Sequence, residues 1–194
     1  NTLILITSFY VIGITIEAPW DIFTHGFMMI AIYHLFKFFK SENTDWKHTI
    51  IAAFCIGFSI LSKGPISFYA LLLPFLLAFS FSFNYKNIKT KALPIIVILI
   101  LSLVVGGWWY FYVRLEDPTT FAATSKETGN WTSYNVRPFY YYWSFFTQSG
   151  LWTIPAFISL LFPYLKRRVV HFKAYKFTFL WTLFAVILLS IIPE

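Results

Sequence analysis

The stretch ALPIIVILILSLVVGGWWYFY, residues 92–112, contains no charged side chain. A helix needs about 20 predominantly apolar residues to cross a bilayer, and this run supplies them. Comparable runs follow one another along the chain. They predict an all-α, polytopic membrane helix bundle of about seven transmembrane spans, at about 2–16, 22–39, 48–62, 66–83, 92–113, 139–165 and 177–192. One longer outer loop, at about 114–138, is expected between the fifth and sixth. Composition agrees: 58% of residues are hydrophobic and 12% charged, against about 25% charged in a soluble domain. Residues 1–194 therefore read as one transmembrane unit. The chain begins at Asn1 in apolar sequence and closes directly behind an apolar run. It is expected to be an internal piece of a longer protein.

Charge then sets the expected threading. Eleven of the fifteen Lys and Arg lie at Lys37, Lys40, Lys47, Lys86, Lys89, Lys91, Lys166, Arg167, Arg168, Lys173 and Lys176, in every second connection or, for Lys37, at the end of the run before one. Cytoplasmic loops carry such an excess of basic residues, so a net charge of +7 reflects orientation and not nucleic acid. Six of the eight acids, Glu17, Asp21, Glu116, Asp117, Glu127 and Glu194, fall on the opposite, outer side. The single cysteine, Cys55, can form no internal disulfide.

The outer connections carry the chemistry-bearing residues. Asp21 follows Pro19-Trp20 and opens the second run. A carboxylate there is stabilised by the helix dipole as a simple cap. It also lies four residues from both Glu17 and His25, and these three are weak candidates for a divalent-metal patch. Ser62-Lys63-Gly64-Pro65 is the sharpest local feature. Gly64-Pro65 breaks the helix and places Lys63 at the outer surface, either as a snorkelling lysine or as a cation aimed at a phosphate. Arg137, before Pro138-Phe139-Tyr140-Tyr141-Tyr142, is an interface anchor or a second, bidentate phosphate ligand.

Aromatics make up 23% of the chain. Trp20, Trp108, Trp109, Trp131 and residues 139–143 gather near the outer interface. They form an aromatic belt or line a groove for a sugar or lipid chain. His34, His48 and His171 read as interface residues. No Gly-rich phosphate loop, zinc spacing or nucleophile elbow is present.

Taken in order, Ala18-Pro19-Trp20-Asp21, Ser62-Lys63-Gly64-Pro65 and Arg137-Pro138-Phe139-Tyr140-Tyr141-Tyr142 resemble a known family. It is the bacterial GT-C type of polyprenyl-phosphate-sugar glycosyltransferase, which includes the aminoarabinose lipid A transferase and protein O-mannosyltransferase relatives. The closing Ser190-Ile191-Ile192-Pro193-Glu194 also resembles a stretch of that family. The resemblance implies a multi-pass protein of the bacterial inner membrane with its active face periplasmic. It implies a polyprenyl-phosphate-sugar donor, a lipid, protein or glycan acceptor, surrounding membrane lipids, and an optional divalent metal. A carboxylate general base would assist attack of the acceptor hydroxyl on the anomeric carbon. On this pattern Asp21 matches the second acidic residue of the outer site, with Glu127 a less secure match. Lys63 and Arg137 are the phosphate-contact candidates. The family's principal acidic motif lies in a first outer loop upstream of Asn1, so this piece is expected to lack it. A transporter or flippase, or a non-catalytic membrane scaffold, are the rival readings. Transporters place their sites near the bilayer midplane, where the runs here carry almost no charge.

Overall fold

The structure, a computed structural model, describes residues 4, 7–17, 19–83, 85, 87–134, 138, 140–144 and 147–191. Among these every regular element is helical. In chain order they are α1 (Phe9–Glu17), α2 (Pro19–Lys40), α3 (Trp46–Lys63), a π-helical turn (Phe68–Leu72) running into α4 (Leu73–Ser82), α5 (Ala92–Glu116), α6 (Pro118–Tyr134), 3₁₀ turns at Tyr141–Ser144 and Thr147–Trp152, α7 (Thr153–Ser159), α8 (Phe162–Leu165) and α9 (Phe172–Ile191).

Three of the helices are long and apolar enough to cross a membrane: Trp20–Lys40 within α2, α5 and α9. The expected count of seven is not reached among the described residues. The run at 139–165 shows why. It carries no charge, yet Gly150 adopts φ 60°, ψ −117° and interrupts it, and Pro163 opens a separate short helix, α8. An apolar composition is not a continuous helix, because Pro lacks the backbone donor and Gly releases the chain. The connection at 114–138 differs in the other direction, since most of it is α6. Asp117 caps that helix: its Oδ1 accepts from Thr119 Oγ1 at 2.7 Å and from Thr120 N at 3.0 Å. Pro118 follows at the first helical position, where a missing N–H costs nothing. Phe121 then packs on Tyr110, with ring centroids 5.0 Å apart, and docks the start of α6 against the end of α5.

The hydrogen bonds from Thr120, and secondarily from Thr119, hold the Asp117 carboxyl down at about 2. A depressed carboxyl stabilises the folded form above its ordinary value, near 3.8. That contribution is lost as pH falls through about 2. The Thr120 amide resonance is therefore expected to titrate near pH 2, and Asp117→Asn should abolish the titration. A midpoint near 4 would show that the cap does not form.

The helices alternate in direction and share two ends. At one end Lys91 reaches Phe38 and Ser41, Asn87 Nδ2 donates to Glu42 O at 3.1 Å, and Lys176 Nζ donates to Phe81 O at 2.8 Å. At the other end Asp21 meets Lys63. We refer to them as the basic and acidic ends. The core lies between them and is built from Met28, Ala31, Phe38, Ala52, Ala53, Phe75, Ala78 and Phe79, all with no exposed surface. Toward the basic end the rings of Phe36, Phe75, Phe79, Phe83, Phe177 and Trp181 interlock at 5.3–6.0 Å. Such pairs add about 0.5–1.5 kcal/mol each beyond their buried area.

Small residues bring α3 and α5 together. A Cβ on Gly57 would lie 2.6 Å from Val105 Cβ, and one on Gly106 would lie 2.7 Å from Ile60 Cβ. Ala53 with Gly57 and Ser102 with Gly106 form facing small-xxx-small pairs, the device that lets membrane helices approach closely. Ile60 is branched at the clashing atom, so it cannot swing aside and the helices must part. Gly106→Ala is expected to cost about 1–3 kcal/mol, read as a lowered unfolding midpoint in detergent. Gly26→Ala, where a Cβ meets nothing within 4 Å, serves as the control. Equal midpoints for all three glycine forms would contradict the packing.

Candidate functional site

The acidic end is assembled by the starts and stops of three elements. Asp21 lies in the first turn of α2. Lys63 is the last residue of α3, which stops where Gly64 takes φ 79° and donates its N–H to Ile60 O at 2.6 Å. A positive φ of this kind strains any residue with a Cβ, so the Gly64-Pro65 step fixes where Lys63 sits. Lys63 Nζ and Asp21 Oδ1 are 2.5 Å apart, with the carboxylate side chain 17% exposed and the ammonium 32% exposed. Two residues that the sequence presents as separate features are thus one ion pair.

A column of buried hydroxyls lies one turn deeper. Thr24 Oγ1 donates to Trp20 O at 3.0 Å. Ser59 Oγ donates to Thr24 O at 2.8 Å and lies 2.6 Å from Ser67 Oγ. Ser59 has one proton and directs it to Thr24, so Ser67 donates to Ser59. All three residues are almost fully buried. They tie α2, α3 and the approach to the π-helical turn into a single frame beneath the ion pair. Ser67 precedes that turn, in which the Leu73 amide bonds Phe68 O. Trp181 Nε1 donates to Leu71 O at 3.1 Å and anchors the turn to α9.

The chain matches no protein-family model, no curated protein and no solved structure. The functional reading therefore rests on this geometry and on the sequence pattern.

The remaining sequence candidates are placed as follows. His25 stands one turn beyond Asp21 on α2, and Glu17 is exposed at the end of α1. Among the described residues no three His, Cys, Asp or Glu side chains gather to hold a metal. Glu127 lies on α6, with its side chain outside the described residues. Arg137 and Glu194 are outside them altogether. Trp20, Trp108 and Trp109 are each about half exposed, and Trp109 stacks on Tyr112 along the surface of α5 at 5.4 Å. These rings lie on helix surfaces.

Composition did not point to the hydroxyl column. Its one trace in the sequence is spacing: Ser59 precedes Lys63 by four residues and Thr24 follows Asp21 by three, so each lies on the same helix face as its charge. A second missed contact lies at the basic end. His34 and His48 bring their Nδ1 atoms to 2.8 Å, and Asp45 Oδ2 is 3.6 Å from His48 Nε2.

Proposed function

We propose that the chain is part of a membrane-embedded GT-C type glycosyltransferase, which moves a sugar from a polyprenyl-phosphate donor to an acceptor hydroxyl. The observation that carries this reading is the Asp21–Lys63 pair at the helix ends, seated on the buried Thr24–Ser59–Ser67 column. A carboxylate and an ammonium are the two groups the transfer needs on the protein side. The pair also sits at the helix termini and not at their midpoints, where a transporter would bind its substrate.

The chemistry follows from the pairing. An arriving phosphate competes with Asp21 for the Lys63 ammonium. Once Lys63 turns to the phosphate, the Asp21 carboxylate is free to accept the proton of the acceptor hydroxyl. The hydroxyl oxygen then bonds to the anomeric carbon as the bond from that carbon to the phosphate oxygen breaks. The electron pair leaves on the phosphate, and Lys63 stabilises the charge that develops there. Glu127 and Arg137 belong to the same proposed site as a second carboxylate and a second phosphate ligand. The proposal places the basic end in the cytoplasm by the excess of Lys and Arg. The acidic end then faces the periplasm of a bacterial inner membrane, and the chain threads the bilayer about seven times.

The test is sugar transfer by the full-length protein, using a polyprenyl-phosphate-sugar donor, with Asp21→Asn and Lys63→Ala. Wild-type turnover in both variants would sink the assignment.

A further inference from the structure

At the basic end α8 folds back on the start of α9. Phe162 stacks on Tyr175 with centroids 5.6 Å apart and planes 16° from parallel, and lies 4.8 Å from Phe179. Tyr175 Oη donates to Ser159 O at 2.8 Å. These contacts pin the hairpin, and the turn at 166–168 projects from it. A groove of about 430 Å³ opens there, lined by Pro163, Tyr164, Lys166, Arg167 and Arg168. Its volume falls within the roughly 300–1,000 Å³ of small-molecule sites.

Two features define what the groove accepts. The first is charge: three cations line it, and none is paired with a carboxylate among the described residues. The Arg168 guanidinium lies over the Tyr164 ring at 4.3 Å, which holds it at the rim. The second is the neighbouring surface. Val170 is 90% exposed, and Leu161 and Phe172 are each about two-fifths exposed. A free phosphate would engage the cations and leave this apolar surface in water. An amphiphile with an anionic head would cover both.

We propose that this groove is a binding site for the headgroup of an anionic phospholipid, with an acyl chain lying along Leu161, Val170 and Phe172. The inference rests on the membrane reading of the apolar helices and is independent of the transferase reading, because the groove is at the opposite end of the bundle from Asp21. A basic cluster beside a membrane helix gains about fivefold in affinity for anionic lipid per cation.

The experiment is native mass spectrometry of the full-length protein in detergent, doped with phosphatidylglycerol or phosphatidylcholine. The wild type should retain phosphatidylglycerol preferentially. Lys166→Gln/Arg167→Gln/Arg168→Gln should lower that retention by roughly a hundredfold, while circular dichroism stays unchanged because all three side chains are exposed. Lys37→Gln/Lys40→Gln/Lys47→Gln removes the same charge from the same end and should leave retention nearly intact. Equal loss in both triple variants would overturn the site in favour of general charge attraction. Displacement of the lipid by millimolar inorganic phosphate would overturn the lipid assignment in favour of a free anion. Equal retention of the two lipids by the wild type would overturn the proposal outright.

Discussion

Asp21→Asn in the full-length protein is expected to lower sugar transfer by about 10²-fold, the lower part of the range for loss of a positioned general base. Asparagine keeps the size of the side chain and removes its ability to take a proton. Lys63→Ala acts on the other half of the pair. In the proposed mechanism it removes the cation that first holds the donor phosphate and then meets the leaving phosphate, so KM should rise, kcat should fall, and kcat/KM should fall most. The two variants are also coupled through their ion pair. Lys63→Ala leaves the Asp21 carboxylate, only 17% exposed, without its counter-charge, so part of its effect is on stability. Far-UV circular dichroism and the unfolding midpoint of each variant separate the two. A variant that folds like the wild type and transfers sugar at the wild-type rate removes that residue from the mechanism.

Lys91→Met is expected to be the most destabilising single change at the basic end, at about 2–4 kcal/mol. Lys91 has no exposed surface. Its Nζ donates to Phe38 O and to Ser41 O, both at 2.6 Å, and lies 5.0 Å from the centre of the Phe38 ring. Phe38 is in the last turn of α2, where carbonyls have no partner within the helix. The ammonium therefore satisfies two acceptors and complements the negative end of the helix dipole. Methionine keeps the length of the side chain and donates nothing. Each buried group left without a partner costs about 1–3 kcal/mol, and methionine recovers part of this by apolar packing. Lys89→Met is the control, because Lys89 is exposed and surface changes usually stay within about 0.5 kcal/mol. Unfolding midpoints in detergent that fall equally for both lysines would show that Lys91 is only one more surface charge.

Lys91 also shows where reading the sequence stops. In the sequence it is one of several lysines in a short connection, and a rule based on charge excess treats them alike. Only the reach of its side chain, from the residue before α5 to carbonyls at the end of α2, distinguishes it from Lys89. The apolar runs at 92–112 and 22–39 were legible because length and lack of charge are the physical requirements for a crossing helix. The stop at Gly64 was legible because a glycine-proline step has one dominant effect on a helix. The run at 139–165 is not one continuous helix, which hydrophobicity could not show because it says nothing of continuity, although Gly150 and Pro163 mark the breaks. The start of α6 carried a signal in Asp117-Pro118, a cap followed by proline at the first helical position, within a stretch whose polarity otherwise reads as a loop. Asp21 and Lys63 were each visible alone. Their pairing was not, because it depends on the antiparallel register of α2 and α3. That register is set by contacts such as the one between Ser59 and Thr24, more than thirty positions apart.

The π-helical turn at Phe68–Leu72 makes the segment from 66 to 82 two α-helical registers offset by a single inserted position. The wide turn takes up that extra position, so the residues on either side keep the faces they would have in an unbroken α-helix. Ser67 therefore stays against Ser59 while α4 stays packed on Trp181 and the aromatic core. A residue added or lost in the regular part of α4 has no such turn to absorb it and would rotate Ser67 by about 100° relative to the core residues beyond it. The frame beneath Asp21 and Lys63 thus depends on the number of residues in this segment as well as on their identity.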